Sequence, residues 1–215
     1  MKTIQKSTES TIRERGSKFY GFLFPCKSAE DFDIKLNELK NRFPDATHHC
    51  CAYRIMNEQI NEFSADDGEP SGTAGLPILN TLKSFELVNA GAIIVRYYGG
   101  SKLGKAGLID AYSSSTKLCI EKANIGELEK VFRLQIIYDY PQESQIQQII
   151  HTFQLNELEQ KFTERVMKIV QGPIQKEDGC IQSLEAIEYQ GISFKQLDHT
   201  FVMIWPQVII NLIKI

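Results

Sequence analysis

The stretch AIIVRYYGGSKLGKAGLIDAYS, Ala92–Ser113, decides how the first half of this chain is read. Ala92 to Tyr98 is a short apolar run with β-branched residues, the mark of a strand buried on both faces. The loop Gly99-Gly100-Ser101-Lys102-Leu103-Gly104-Lys105-Ala106-Gly107 follows, and Leu108 to Ala123 then resumes a helical pattern, with Leu108, Ala111, Leu118 and Ile120 as core candidates. Glycines let backbone take positive φ and approach a ligand closely. Amides at a helix N-terminus suit phosphate or carboxylate, and Lys102 and Lys105 add charge. Tight strand–helix packing is the competing reason for the glycines. The spacing is not a Walker A loop, because Ala106 stands where the metal-binding hydroxyl is needed.

Outward from this unit, Thr3–Ile12 and Phe19–Pro25 read as strands around a polar turn containing Gly16. Ser28 caps a helix with acids at its start, Glu30, Asp31 and Asp33, and Pro44 stops it. Thr47 opens an extended run, THHCCAYRI, followed by mostly polar residues 57–62. FSADDGEPSGTAGLP, Phe63–Pro77, is rich in turn formers and leads into the helix-like ILNTLKSFELV. Gly126 within a charged stretch marks a boundary. Strand (131–138), helix (141–153), strand (162–170), helix (176–189) and strand (192–197) follow, an order that closes as a small sheet with helices on one face. The apolar segment 198–215 is interrupted by Pro206, Gln207, Asn211 and Lys214, so it reads as an extra strand or an oligomer contact rather than a membrane anchor.

Composition bounds the function. Hydrophobic residues make up 42% and charged residues 24% of 215, which is globular and not disordered. Net charge is −3, divided as 16 Lys/Arg against 15 Asp/Glu over residues 1–125 and 8 against 12 over 126–215. Bulk charge therefore does not announce nucleic-acid binding, and any such contact must use local basic residues on the first half. Five cysteines without paired spacing suit reduced thiols in the cytoplasm. The N-terminal residues MKTIQKSTES lack an export signal pattern.

Two further clusters carry polar chemistry. Asp66, Asp67 and Glu69 are a weak candidate for a hard cation and an ordinary one for helix capping. His48-His49-Cys50-Cys51 suggests zinc, but a strand alternates its side chains, so only His48 with Cys50, or His49 with Cys51, shares a face. No second ligand pair follows at suitable spacing, so no metal or other cofactor is expected. Ser113-Ser114-Ser115 lacks a nucleophile elbow, which removes a serine hydrolase.

HHCCAYRI, FSADDGEPSGTAGLPIL and IIVRYYGGSKLGKAGLIDAYS, in this order, resemble the YigZ/Impact family, whose signature pairs D-D-G-E-P-x-G-T-A-G with R-Y-[YF]-G-G-x-x-L-G. The resemblance implies an α+β protein: a ribosomal protein S5 domain 2-like domain over residues 1–125, then a ferredoxin-like domain over 130–197, similar to domains III and V of elongation factor G. It implies a ligand-binding patch of His48, His49, Asp66, Asp67, Gly68, Glu69, Ser71, Gly72, Thr73, Arg96, Tyr97, Gly99, Gly100, Lys102 and Gly104. Eukaryotic relatives are translation regulators, acting through an additional N-terminal domain. The first expectation is thus a non-enzymatic, translation-associated protein that contacts RNA, the ribosome or a translation factor. The alternative is an enzyme for a small phosphorylated or acidic substrate, with His48 or His49 as acid/base. The two separate on whether the segments close around a pocket or lie on a flat face.

Overall fold

The computed structural model describes residues 1–57 and 59–204. They form two compact units, Met1–Glu127 and Leu128–Ile204. The strands of the first unit are β1 (Lys2–Ile4), β2 (Thr8–Glu14), β3 (Ser17–Pro25), β4 (His48–Met56), β5 (Ile60–Ala65) and β6 (Ala90–Tyr97). Its helices are α1 (Ala29–Arg42), α2 (Gly75–Ser84) and α3 (Gly104–Glu121). Five strands make an antiparallel sheet in the order β2-β3-β6-β4-β5. The apolar run read as a doubly buried strand is the central one, β6, and every residue from Ala90 to Arg96 is buried.

Alternation along β6 divides the unit into three layers. Ala92 and Ile94 point to the α2 and α3 side, packing with Phe19, Leu23, Cys50, Ile78 and Tyr112. Ile93 and Val95 point to the α1 side, with Phe22, Phe24, Phe32, Leu39 and Cys51. Each fully buried aliphatic or aromatic side chain contributes about 1.5–3 kcal/mol by leaving water. Helix α1 begins where the sequence places it: the Ser28 hydroxyl accepts the Asp31 amide at 3.1 Å. It ends at Arg42, ahead of Pro44.

The second unit contains most of β7 (Ile125–Tyr138), then α4 (Glu143–Phe153), β8 (Asn156–Phe162), β9 (Val166–Pro173), α5 (Glu177–Glu185) and β10 (Ser193–Ile204). Residues Val131–Tyr138 of β7 pair antiparallel with β9, β9 pairs with β8, and β10 pairs with β7. Phe132, Leu134, Ile136 and Tyr138 alternate onto the face covered by α4 and α5. Lys168 sits fully buried on that face, its ammonium 3.0 Å from Glu143 and 2.9 Å from Glu157.

Several boundaries differ from expectation, each for a physical reason. The strand expected over Thr3–Ile12 is two, because Lys2–Ile4 pairs with Ile125–Glu127 and not with the main sheet. Strand β5 arises from the polar stretch after THHCCAYRI: five of its six residues are exposed, so it carries no hydrophobic pattern. The single strand expected over 162–170 straddles the turn between β8 and β9. The helix expected over 176–189 is α5 followed by a 3-10 turn at Glu188–Gln190. The strand expected over 192–197 runs to Ile204 and takes in 198–204 of the segment set apart as a tail. Residues 205–215 of that segment, with their expected oligomer contact, lie outside the described residues. No helix among the described residues is long and apolar enough to cross a membrane.

Candidate functional site

Strands β4 and β6 lie side by side with His48 opposite Arg96. Both residues have the parity of Cys50 and Ile94, so they face the α2 and α3 side of the sheet. The loop between β5 and α2 folds over this end. Its first residue, Asp66, is a helix cap: its carboxylate accepts the amides of Gly72 (2.8 Å), Ala74 (3.0 Å) and Gly75 (2.8 Å). Three amides satisfy the carboxylate and compensate the α2 dipole, so capping is its use here. Asp67 (φ +43°) and Gly68 (φ +88°) turn the chain back toward β4. The Asp67 carboxylate accepts the His49 amide at 2.6 Å. The Asp67 carbonyl lies 2.8 Å from His48 Nδ1. A carbonyl only accepts, so Nδ1 carries the proton and the neutral ring has its lone pair on Nε2.

Glu69 is the hub. Its side chain is 3% exposed, and Oε1 accepts from Arg96 (2.5 Å) and from the Tyr112 hydroxyl (2.7 Å). His48 Nε2 stands 3.8 Å from the same oxygen. Arg96 is itself held by the Ser17 hydroxyl at 3.2 Å, which also accepts the Gly99 amide at 3.1 Å. The Arg96 guanidinium lies over the rings of Phe19 and Tyr98. The Cys50 thiol is within reach of the Asp66 carbonyl (3.0 Å) and the Tyr112 oxygen (3.2 Å). Burial pushes the pKa of both Cys50 and Tyr112 well above the ordinary range, so both groups act as neutral donors.

His48, Glu69 and Arg96 floor a cleft of about 530 Å³, whose walls include Thr47, Tyr98, Lys102, Leu103, Gly104 and Lys105. One wall is the N-terminus of α3. No side chain among the described residues caps it, and no acid lies in its first turn. The amides of Gly104, Lys105 and Ala106 find no acceptor among the described residues. Exposed Lys102 and Lys105 flank them. Unpaired amides at the positive end of an 18-residue helix, with two ammonium groups beside them, give this wall the chemistry that suits an anion.

The structure brings His48, Glu69, Arg96, Lys102 and Gly104 to this cleft. Asp66, Gly72 and Thr73 belong to the cap, with the Thr73 hydroxyl donating to the Pro70 carbonyl at 2.6 Å. Asp67 and Gly68 position the His48 ring, and Ser71 is exposed on the loop. His49 and Tyr97 point the other way. Among the described residues His49 Nε2 is buried without a partner, and burial lowers the imidazole pKa. Tyr97 packs edge-on against Tyr20 in the α1 layer. Gly100 (φ +86°) holds the loop in a left-handed turn, whereas Gly99 is required by contact: a Cβ there would lie 1.9 Å from the Gly16 backbone. Among the described residues no group of three or more His, Cys, Asp or Glu side chains is placed to hold a metal ion.

Ser17, Tyr98 and Tyr112 were absent from the expected site. Ser17 follows the hairpin turn and is brought to Gly99 only by sheet pairing. Tyr112 was legible as a helix residue two turns beyond the loop, on the inward face.

The described residues form a mixed α/β protein of two units, with a cleft on one face of the first sheet. The family follows from known proteins. Residues 15–120 match the Impact N-terminal domain. The IMPACT family member YvyE of Bacillus subtilis is 33% identical over 138 residues, covering 64% of each chain. An IMPACT family member of Haemophilus influenzae is 32% identical over 159 residues, covering 72% of this chain and 76% of its own. The chain belongs to the IMPACT family. A crystal structure of a hypothetical protein shares the fold, with TM-score 0.60 at 23% identity, covering 92% of this chain and 97% of that one.

Proposed function

We propose that this chain is a translation-associated binding protein of the cytoplasm whose first unit contacts RNA, on the ribosome or beside a translation factor, at the cleft. The observation that carries this reading is the uncapped α3 N-terminus between Lys102 and Lys105. A phosphodiester satisfies those amides and exchanges condensed counterions for the two ammonium groups. Arg96 is engaged by Glu69 and Ser17, so it shapes the cleft floor and leaves the phosphate to the lysines. Family membership supports the link to translation, which the resemblance draws from the eukaryotic regulators. On this reading residues 1–125 are the S5 domain 2-like domain. Residues 130–197, lengthened by the rest of β10, are the ferredoxin-like one, an assignment supported by the β-α-β-β-α-β order of that unit and its strand order β10-β7-β9-β8.

The test is binding of a labelled single-stranded RNA across a salt series. Each phosphate contact contributes a slope of about −0.7 in log K against log salt for single strands. Lys102→Ala/Lys105→Ala therefore weakens binding and flattens the slope by about 1.4, two such contacts. RNA binding indifferent to salt and to both lysines removes the reading.

One observation favours the enzymatic alternative: the segments close around a cleft, and His48 Nε2 faces it beside Glu69. Release of inorganic phosphate from a panel of small phosphomonoesters, abolished by His48→Gln, would select that reading.

A further inference from the structure

Glu69 is nine-tenths buried, and one of its oxygens is idle. Oε1 takes the bonds from Arg96 and Tyr112. Oε2 accepts none among the described residues, yet it is not among the buried atoms left without a partner. The cavity that Glu69 lines is the cleft. A carboxylate oxygen only accepts, so what it calls for is a hydroxyl or N–H donor. A phosphate oxygen cannot serve, and repulsion keeps phosphate at the other wall, against the α3 amides, Lys102 and Lys105. A third element completes the set. Tyr98 borders the same cleft with 46% of its surface exposed, and the Arg96 guanidinium lies 5.5 Å from its ring centroid. That leaves ring surface for stacking.

An anion wall, an acceptor aimed at hydroxyls and an exposed aromatic, around about 530 Å³, match the parts of one nucleotide. We infer that the cleft seats a single ribonucleotide unit. Its phosphate sits on the α3 N-terminus, a ribose hydroxyl donates to Glu69 Oε2, and its base stacks on Tyr98. The inference rests on the RNA-binding reading and adds to it the discrimination of ribose from deoxyribose. Arg96 and Tyr112 make this possible by fixing Glu69 through its other oxygen, so the free lone pairs are already oriented. The unit is supplied either by an RNA strand or by a free nucleotide, since the three contacts are the same.

The test compares a labelled single-stranded RNA of about 10 nucleotides with the DNA of the same sequence, by fluorescence anisotropy at low salt. Wild type binds RNA tighter by about tenfold, the worth of one hydrogen bond to a charged group. Glu69→Gln keeps an acceptor for Arg96 and Tyr112 but turns the idle oxygen into an amide donor. The RNA-to-DNA affinity ratio then falls to about one. Tyr98→Ala, at the surface, weakens both about equally. Competition by a ribonucleoside 5′-monophosphate, stronger than by its 2′-deoxy form, marks a free nucleotide as the source, and RNA preference without such competition marks a strand. Equal binding of RNA and DNA by wild type overturns the ribose contact and leaves the RNA-binding reading standing. Absence of binding to RNA, DNA and nucleotides alike overturns both.

Discussion

At the scale of the residue, neighbours of one type diverge because a strand alternates. His48 stands in the cleft, with its tautomer set by the Asp67 carbonyl, while His49 is buried toward α1 with Nε2 unpartnered among the described residues. The family motif treats the two alike, and the period of the strand separates them once the cleft side is known. Which side that is depends on β3, α2 and α3, so it was not legible from HHCC alone. His49 gives the clearest pH prediction. Burial lowers its pKa below the ordinary 6.5, Lys40 assists, and Asp67 opposes. Between the folded and unfolded pKa the unfolded chain binds more protons, so stability is full above about 6.5 and declines as pH falls through the lower folded value. Urea midpoints measured from about pH 7.5 down to 5 are expected to show this decline in wild type and a smaller one in His49→Gln. Parallel profiles would place the titration elsewhere.

At the scale of the element, α2 and α3 share a face of the sheet and end in opposite ways. Asp66 closes the N-terminus of α2 with three hydrogen bonds, and nothing in the described chain closes that of α3. The acidic loop offered both a cation site and a cap from sequence. The geometry of Asp66 is that of a cap, because its two oxygens are occupied by amides. Asp66→Ala is expected to cost about 2 kcal/mol, read as a lower urea midpoint with unchanged slope. No loss of stability would show that solvent replaces the cap. The elements most readable beforehand were those with their own signal: β6 by its apolar run, α1 by Ser28 and Pro44. Strands β5 and β8 were missed because they are exposed edges, defined by the partners β4 and β9 and not by hydrophobic alternation. The Ser17 bridge between Arg96 and Gly99 was hidden for the same reason, joining residues that only the sheet brings together.

At the scale of the whole molecule, charge and chemistry are divided between the two units. The near-neutral first half of the chain gathers its functional cations at one helix start, and the second half carries the acidic excess. In a protein of net charge −3, the proposed anion contact therefore rests on local arrangement and not on bulk attraction. The family motifs marked both loops that build the cleft. They did not show that Arg96 would be spent on Glu69, since that pairing requires the β5–α2 loop to fold back over β6.

The central claim is that the cleft ties this chain to the translation machinery. Sedimentation of cell lysate through sucrose, at low and moderate salt, tests it most directly with wild type beside Lys102→Ala/Lys105→Ala. Wild type is expected to travel with ribosomal particles at low salt and leave them as salt rises, while the variant stays near the top of the gradient. Wild type that remains at the top at every salt concentration, or a variant that sediments like wild type, would contradict the claim.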